Sequence, residues 1–403
     1  MKFIKNAFKV IIKFFLRVLP TKKGRVLFVS FNGHYSDSPK AICEEIYKLN
    51  RTLQLVWLVE KSHMRDLPEY VKCIDISDDF ARTYYKSTAR VIIDNDNMGI
   101  TLSSEKFFDK ICFKLLPHLL KKKNQKYYTT WHGTPLKRMG RDVDGSNIID
   151  YNDCANTTMI LGNQFAFDIM SNIMFGKVKA VLIGTPRNDI LFKCEKKVVD
   201  LRKKIGLPLD KKIIMFAPTF RSDDGECKGR NVLRSGVNQL KEIDFTALFE
   251  TLCEKFSGEW AIVCRFHYFV EKMVDWESLQ REYPNQIING NLNDDMAEYL
   301  ACTDVLLTDA SSSMFDFMLT KKPCFLFFPD LKRYRNIERG FYTPIESLPF
   351  STAETFDKLI ENIKGFDEKS YTENVEKLIC EFRYVDDANS SERIAKYILN
   401  ELK

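Results

Sequence analysis

The sequence predicts an α/β protein built from two similar-sized domains, each a parallel β-sheet covered by helices, with the sheets facing a central cleft. Three observations carry that expectation. The chain has 403 residues, more than the roughly 250–300 that one hydrophobic core usually organises. Short apolar runs alternate with helix-length segments, the pattern of strands joined by crossover helices. Those runs end in polar loops rich in Gly, Ser, His and Arg, in both halves of the chain, and ligands of open α/β sheets bind at the carboxyl ends of strands.

Taken in order, residues 1–20 read "MKFIKNAFKVIIKFFLRVLP". Lys5, Lys9, Lys13 and Arg17 recur every fourth residue and, at 100° per residue, fill one sector of about 120° on a helix whose remaining face carries Phe8, Ile12 and Phe15. A cation on each turn excludes a spanning helix, and no uninterrupted apolar stretch with a small-residue cleavage site marks a secretory signal. The pattern fits a helix lying in the interface of an anionic membrane leaflet, or one packed on the protein's own surface. Pro20 ends it.

The first domain is assigned to 21–205, with strands at 24–31, 54–60, 90–96 and 126–133 and a helix opened by Ser38 and Pro39. A charged segment over 186–211 separates it from a second domain at 206–403. There the strand candidates are 213–221, 260–267, 286–290, 304–312 and 323–328. The helical patterns after residue 354 pack on this domain or cross back to the first.

Composition narrows the function. Apolar residues make up 45% and charged residues 29%, a globular balance without long disordered tracts, and a net charge of +6 does not point to nucleic acid. Eleven cysteines are scattered singly with no CxxC pair, which indicates reduced thiols and no structural metal. No GxGxxG follows the first strand and no GxxxxGK[ST] occurs, so dinucleotide and P-loop readings lack their usual motifs.

Five loops concentrate chemistry. In "FNGHYSDSPK" His34 follows Gly33, and Ser36 to Ser38 stand before a helix, where they suit either a phosphate or an ordinary cap. In "TWHGTPLKRMGRD" His132, Gly133 and Thr134 precede Lys137, Arg138 and Arg141. A neutral imidazole can take a proton from a hydroxyl near pH 7, and the cations can hold an anionic substrate. Thr219 and Arg221 close "FAPTFR", while Arg265 and His267 close "CRFHYF". Asp309, Ser311 and Ser312 lie in "LLTDASSSMFDF", before a predicted helix whose amides suit a diphosphate or a simple cap.

With these loops in view, the chain resembles the CDP-glycerol glycerophosphotransferase family of teichoic acid synthesis over roughly residues 25–365. The likeness rests on "WHGTPLK", "FAPTFR", the Arg265 to His267 strand end, "TDASSSMFDF" and "PCFLFFPDLKRYRNIERGFY". It departs where the second histidine motif continues Tyr268 in place of proline, and where Ala310 stands in place of tyrosine before the serines. The resemblance implies a GT-B-like fold of two Rossmann-like domains, with the nucleotide held mainly by the C-terminal one. It implies that His132 and His267 are catalytic. It implies donor binding by Thr219, Arg221, Arg265, Asp309, Ser311, Ser312, Asp330, Lys332, Arg339 and Gly340, and acceptor or phosphate binding by His34, Gly133, Thr134, Lys137, Arg138 and Arg141.

The reaction so implied moves glycerol phosphate from CDP-glycerol to a hydroxyl of a polyprenyl-diphosphate-linked saccharide or teichoic acid chain and releases CMP. It takes place at the cytoplasmic face of the membrane, to which the protein attaches peripherally. No cofactor or metal is demanded by the residues, magnesium stays open, and so does homo-oligomerisation. A CDP-ribitol donor, a nucleotide-sugar glycosyltransferase of GT-B type and a non-catalytic protein that binds anionic lipid or polymer are the alternatives.

Overall fold

The computed structural model describes residues 11–95, 122–143, 157–173, 178–192, 195–219, 221–222, 232–233, 235–293, 295–337 and 340–402. The chain forms two compact units. The first comprises residues up to His132, Ile149–Asp189 and Tyr384–Lys403; the second comprises Gly133–Ile148 and Ile190–Arg383.

In the first unit, strands β1 (Lys22–Val29), β2 (Gln54–Val59), β3 (Val71–Asp75), β4 (Ala89–Asp94), β5 (Lys126–Thr129), β6 (Thr157–Leu161) and β7 (Lys179–Leu182) form one sheet in the order 3-2-1-4-5-6-7. Every pairing in it is parallel. Val26, Phe28, Trp57 and Ile93 pack on one face of the sheet, and Leu27, Val56, Leu58 and Ile92 on the other. Burial of alternate residues on opposite faces is what makes these strands read as continuous apolar runs. Each such side chain withdrawn from water favours the fold by roughly 1.5–3 kcal/mol before chain entropy is charged against it.

The C-terminal helix Ser390–Leu402 belongs to this unit and places Ile394, Ala395 and Ile398 in the same core as Val26 and Trp57. Its first turn is held by Asp189, whose carboxylate accepts from the amides of Ser390 and Ser391 at 2.9 and 2.8 Å. Asp386 adds a second tie by accepting from the Thr185 amide at 2.9 Å.

In the second unit, β8 (Lys212–Ala217), β11 (Trp260–Cys264), β12 (Ile287–Asn289), β13 (Val305–Thr308), β14 (Cys324–Phe327) and β15 (Ser351–Ala353) form a parallel sheet in the order 12-11-8-13-14-15. The short antiparallel pair β9 (Arg221–Ser222) and β10 (Val232–Leu233) stands apart from it. Read from β8, this is the 3-2-1-4-5-6 order of a Rossmann-type sheet, with its reversal between β8 and β13. Both units are Rossmann-like, and the fold is GT-B-like.

The division differs from the boundary at 205 expected from sequence. Residues 133–148 and 190–205 fall in the second unit, while 384–403 belong to the first, one of the two placements the sequence leaves open. The physical reason lies in pairing and packing: the chain after Gly133 bonds to Phe341 and Tyr342, and Arg202 of the helix Glu195–Ile205 ion-pairs with Asp304 at 2.8 Å.

Residues 11–18 are helical. Lys13 is paired with Asp79 at 2.7 Å and Arg17 is buried, while Ile11, Phe15 and Val18 are exposed. The two cations of the basic stripe that fall in the described part therefore turn toward the protein, and an apolar stripe at i, i+4, i+7 turns away. This corrects the expectation that Lys13 and Arg17 face a lipid surface. Lys5, Phe8 and Lys9 lie outside the described residues. Among the described residues no helix is long and apolar enough to cross a membrane.

Candidate active site

In the second unit the sequence-predicted loops follow β8, β11, β13 and β14. The register that pairs Leu307 with Phe216 and Thr308 with Ala217 brings the loops after β8 and β13 side by side at the reversal of the sheet. There Asp309, with no exposed surface, accepts from the amide and the hydroxyl of Thr219, both at 2.8 Å. Its other oxygen accepts from Nη2 of Arg221 at 2.8 Å.

Arg221 is the centre of this arrangement. Its Nε and Nη2 donate to the two carboxylate oxygens of Asp330 at 2.9 and 3.1 Å, and Nη1 donates to the carbonyl and hydroxyl of Thr219 at 3.0 and 2.5 Å. Its side chain has no solvent-exposed surface. Burial works against the guanidinium charge, but Asp309 first and Asp330 second outweigh it and hold the group protonated. All five N–H groups are thus engaged within the protein.

Arg221 and Asp309, which the resemblance assigns to donor binding, have their polar groups taken up by protein partners here. They brace the loops after β8, β13 and β14 against one another. Arg265 acts similarly: its Nη1 donates to the carbonyls of Gly290 and Asn293 at 2.6 and 2.5 Å, and its guanidinium lies over the Tyr299 ring. Ser311 accepts from the Ser313 amide at 3.3 Å and shares a 2.8 Å contact with its hydroxyl, a local turn, whereas Ser312 makes no capping bond.

His267 follows β11 and is half-buried. Burial, then the nearby Lys137 ammonium, lower its pKa to about 4. Lys137 itself lies over the ring of Tyr334, with Arg221 over the same ring, at 5.5 and 4.6 Å from its centroid. The buried Tyr334 ring and that of Phe341 stack at 5.2 Å, and the chain at Lys137 pairs antiparallel with Phe341. The Arg138 amide donates to the carbonyl of Gly340, a residue at φ 70°.

Lys137, Arg138 and Gly340 therefore belong to one rim with His267, Thr219 and Asp330. Sequence reasoning had divided them between acceptor and donor sides. Lys332 is exposed on the helix Leu331–Ile337. Arg339 and the side chain of Arg141 lie outside the described residues. Tyr334 was missed as a site residue, although it sits inside a segment that the sequence singles out.

In the first unit the relevant loops follow β1, β2, β4 and β5. His132 is exposed on the rim, with its ring stacked on Trp131 at 4.2 Å and met edge-on by Phe31 at 5.9 Å. Nδ1 lies 3.2 Å from the carbonyl oxygen of Asn95. A carbonyl only accepts, so Nδ1 carries the proton and Nε2 is the basic nitrogen. Trp131 has φ 52° and Gly133 φ 136°, so the backbone on both sides of His132 occupies conformations that side chains disfavour. The chain passes from the first unit to the second between His132 and Gly133. Thr134 is buried just beyond that point.

His34 lies beside Glu60 and His63, two residues that sequence reasoning missed; the signal was an E-x-x-H spacing directly after a strand. The loop Ser36 to Ser38 is engaged internally: Asp37 accepts from Arg187 Nη1 at 2.9 Å, and Ser38 is buried.

Comparison with known proteins accords with this architecture. The poly(glycerol phosphate) polymerase of teichoic acid from Staphylococcus epidermidis is 29% identical over 95% of the chain; the chain spans about half of that longer relative, 51%. The corresponding polymerase of Bacillus spizizenii is 28% identical over 95% of this chain and 93% of its own length. The solved structure of a variant of the wall teichoic acid polymerase TagF superposes with a TM-score of 0.80 at 26% identity, over all of this chain and 95% of that one. The model of the CDP-Glycerol:Poly(glycerophosphate) glycerophosphotransferase family matches residues 11–400. The chain thus belongs to the CDP-glycerol:poly(glycerophosphate) glycerophosphotransferase family and has a GT-B-like fold.

Proposed function

We propose that this protein transfers glycerol phosphate from CDP-glycerol to a hydroxyl group of a polyprenyl-diphosphate-linked saccharide or a growing teichoic acid chain, with release of CMP. The observation that carries the reading is the sequence match over 95% of the chain to a polymerase named for poly(glycerol phosphate), joined to the match in fold to a wall teichoic acid polymerase. The chemistry of the strand-end loops within each unit supports it.

The acceptor oxygen attacks the phosphorus that bears glycerol. A new P–O bond forms as the bond to the bridging diphosphate oxygen breaks, and the electron pair leaves with CMP. His132 removes the proton of the attacking hydroxyl through Nε2, with Nδ1–H anchored on Asn95 so that the ring keeps the basic tautomer outward. His267 is neutral at pH 7 and serves as a hydrogen-bonding group toward the transferring phosphate, while Lys137 supplies charge. Thr219 and the loop of Ser311 and Ser312 shape the donor pocket. Arg221, Asp309 and Asp330 hold that pocket in position without touching the reacting atoms.

A lipid-linked acceptor is confined to the bilayer surface. The outward stripe of Ile11, Phe15 and Val18 supports peripheral attachment at the cytoplasmic face, where it inserts its apolar edge while Lys13 and Arg17 tie the helix to the protein.

The test uses the purified full chain with CDP-glycerol, CDP-ribitol and a UDP-sugar in separate reactions, with and without magnesium. Two acceptors are offered, a lipid-linked disaccharide and the same lipid already carrying one glycerophosphate. Product masses that increase by glycerol phosphate units, with CMP released, are the expected result. A ribitol phosphate increment, a sugar increment with UDP release, or no turnover with any donor would each replace the proposal.

A further inference from the structure

The carboxyl ends of β1 and β2 carry a cluster to which no step of the proposed transfer is assigned. His34, Glu60 and His63 each offer one ligand atom, and the three atoms all lie within 4.8 Å of one another. The two imidazoles are stacked, with centroids 4.4 Å apart and planes inclined by 25°. Glu60 immediately precedes the 3₁₀ segment Lys61–Asp66, in which His63 falls. With three residues per turn, positions i and i+3 eclipse, and this brings the carboxylate and the imidazole to one edge.

The backbone holds the loop after β1 against the loop after β2. The Glu60 amide donates to the Gly33 carbonyl at 2.9 Å, and Trp57 Nε1 donates to the His34 carbonyl at 3.2 Å. Gly33 has φ 73°, and a Cβ there would stand 3.0 Å from the Glu60 nitrogen. The positive φ and the close approach both favour glycine at this position.

Two imidazole nitrogens and one carboxylate oxygen form the donor set of zinc and its transition-metal neighbours, whereas magnesium and calcium favour all-oxygen shells. Bonds of about 2.1 Å around a tetrahedral ion separate ligand atoms by roughly 3.4 Å. Closing on an ion requires the stacked imidazoles to splay so that their in-plane lone pairs converge, and the exposed Glu60 side chain to turn inward. We propose that His34, Glu60 and His63 bind one divalent transition-metal ion of the zinc type, with three protein ligands and one coordination position left to water or an anionic oxygen. The site stands on the same rim of the first sheet as His132, since Phe31, three residues before His34, meets the His132 ring. It is independent of which donor the enzyme uses.

The experiment titrates the chelator-stripped full chain with zinc chloride in competition with a chromophoric chelator, and records the visible spectrum with cobalt(II) in place of zinc. One zinc per chain and an intense tetrahedral cobalt spectrum are expected. His34→Ala and His63→Ala should each weaken zinc binding by at least about tenfold and remove the cobalt band, with Glu60→Gln intermediate. Melting curves in excess chelator check that the variants fold; His34→Gln and His63→Gln, which preserve bulk, replace any alanine variant that does not. The proposal is overturned by an absence of stoichiometric zinc at micromolar concentration, by undiminished binding in the double histidine variant, or by loss of binding on replacing His132 or His267 instead.

Discussion

Arg221 and Asp309 form an ion pair of 2.8 Å in which neither side chain has any contact with solvent. The pair is satisfied only because Asp330 and Thr219 take up the remaining donors and acceptors. Removing one member leaves the other charge buried without compensation, which typically costs about 3–5 kcal/mol. Asp309→Asn and Arg221→Met are expected to lower the unfolding free energy of the second unit by an amount in that range, read as a lower urea midpoint at unchanged m. Arg221→Lys should not restore stability, because an ammonium cannot reproduce a bidentate fork. Urea unfolding followed by fluorescence checks this, and variants with parental midpoints would refute the brace.

His132 allows a cleaner separation of binding from chemistry. If its Nε2 removes the acceptor proton, His132→Gln should reduce kcat by about 10²–10⁴-fold while leaving the CDP-glycerol dissociation constant within about twofold of the parent. CMP release measures the first and equilibrium dialysis the second. Equal losses in both would assign His132 to donor binding. The strained backbone at Trp131, φ 52°, adds a corollary: Trp131→Gly should relieve strain but loosen the ring that stacks on His132.

How much of this was legible beforehand follows from the physics of each segment. Strands β1, β2, β4, β8, β11 and β14 are buried on both faces and appear as unbroken apolar runs, so they were readable. β3, with its exposed Lys72, and the partly exposed β7 have weaker patterns and were missed, as was the three-residue β15. The positions of Arg221 and Asp309 in strand-end loops were visible, but their roles were not. A sequence shows that an arginine follows a strand; only geometry shows that all five of its N–H groups already have partners. The return of Ser390–Leu402 to the first unit depends on Asp189 and Asp386, about 200 residues away from or beside the helix they secure, and no local pattern encodes that. Nor does any short-range pattern bring His34 to Glu60 and His63; the contact arises from parallel pairing of β1 with β2.

The environment of His267 predicts a definite pH response. Its ordinary pKa is about 6.5, and burial followed by Lys137 lowers it to about 4 in the folded protein. Between those values the unfolded chain binds a proton that the folded chain refuses. Stability therefore falls as pH drops from 6.5 toward 4, and this contribution is intact above 6.5. For a half-buried ring partly screened by solvent the effect is about 1–2 kcal/mol. Lys137→Met should raise the His267 pKa toward its ordinary value, and His267→Gln should remove this part of the acid destabilisation. Titration of the ring by NMR in the parent and in Lys137→Met decides the matter: a parental pKa above 6, or one insensitive to Lys137, would contradict the proposed neutral role.

The helix at 11–18 distinguishes two ways of meeting a membrane. Charge attraction through its basic stripe requires Lys13 and Arg17 to be available, yet Lys13 is paired with Asp79 and Arg17 is buried. Insertion of the opposite edge requires Ile11, Phe15 and Val18, which are exposed. Phe15→Asp should therefore reduce co-sedimentation with vesicles containing anionic lipid at least about tenfold, because a charge replaces apolar area that would enter the acyl boundary. Lys13→Ala should alter binding much less and should mainly loosen the helix from Asp79. Deletion of residues 1–20 is expected to depress transfer to a lipid-linked acceptor far more than transfer to a short soluble analogue. If Phe15→Asp binds vesicles like the parent and Lys13→Ala does not, attachment runs through the cations and the orientation argued from the exposed stripe fails.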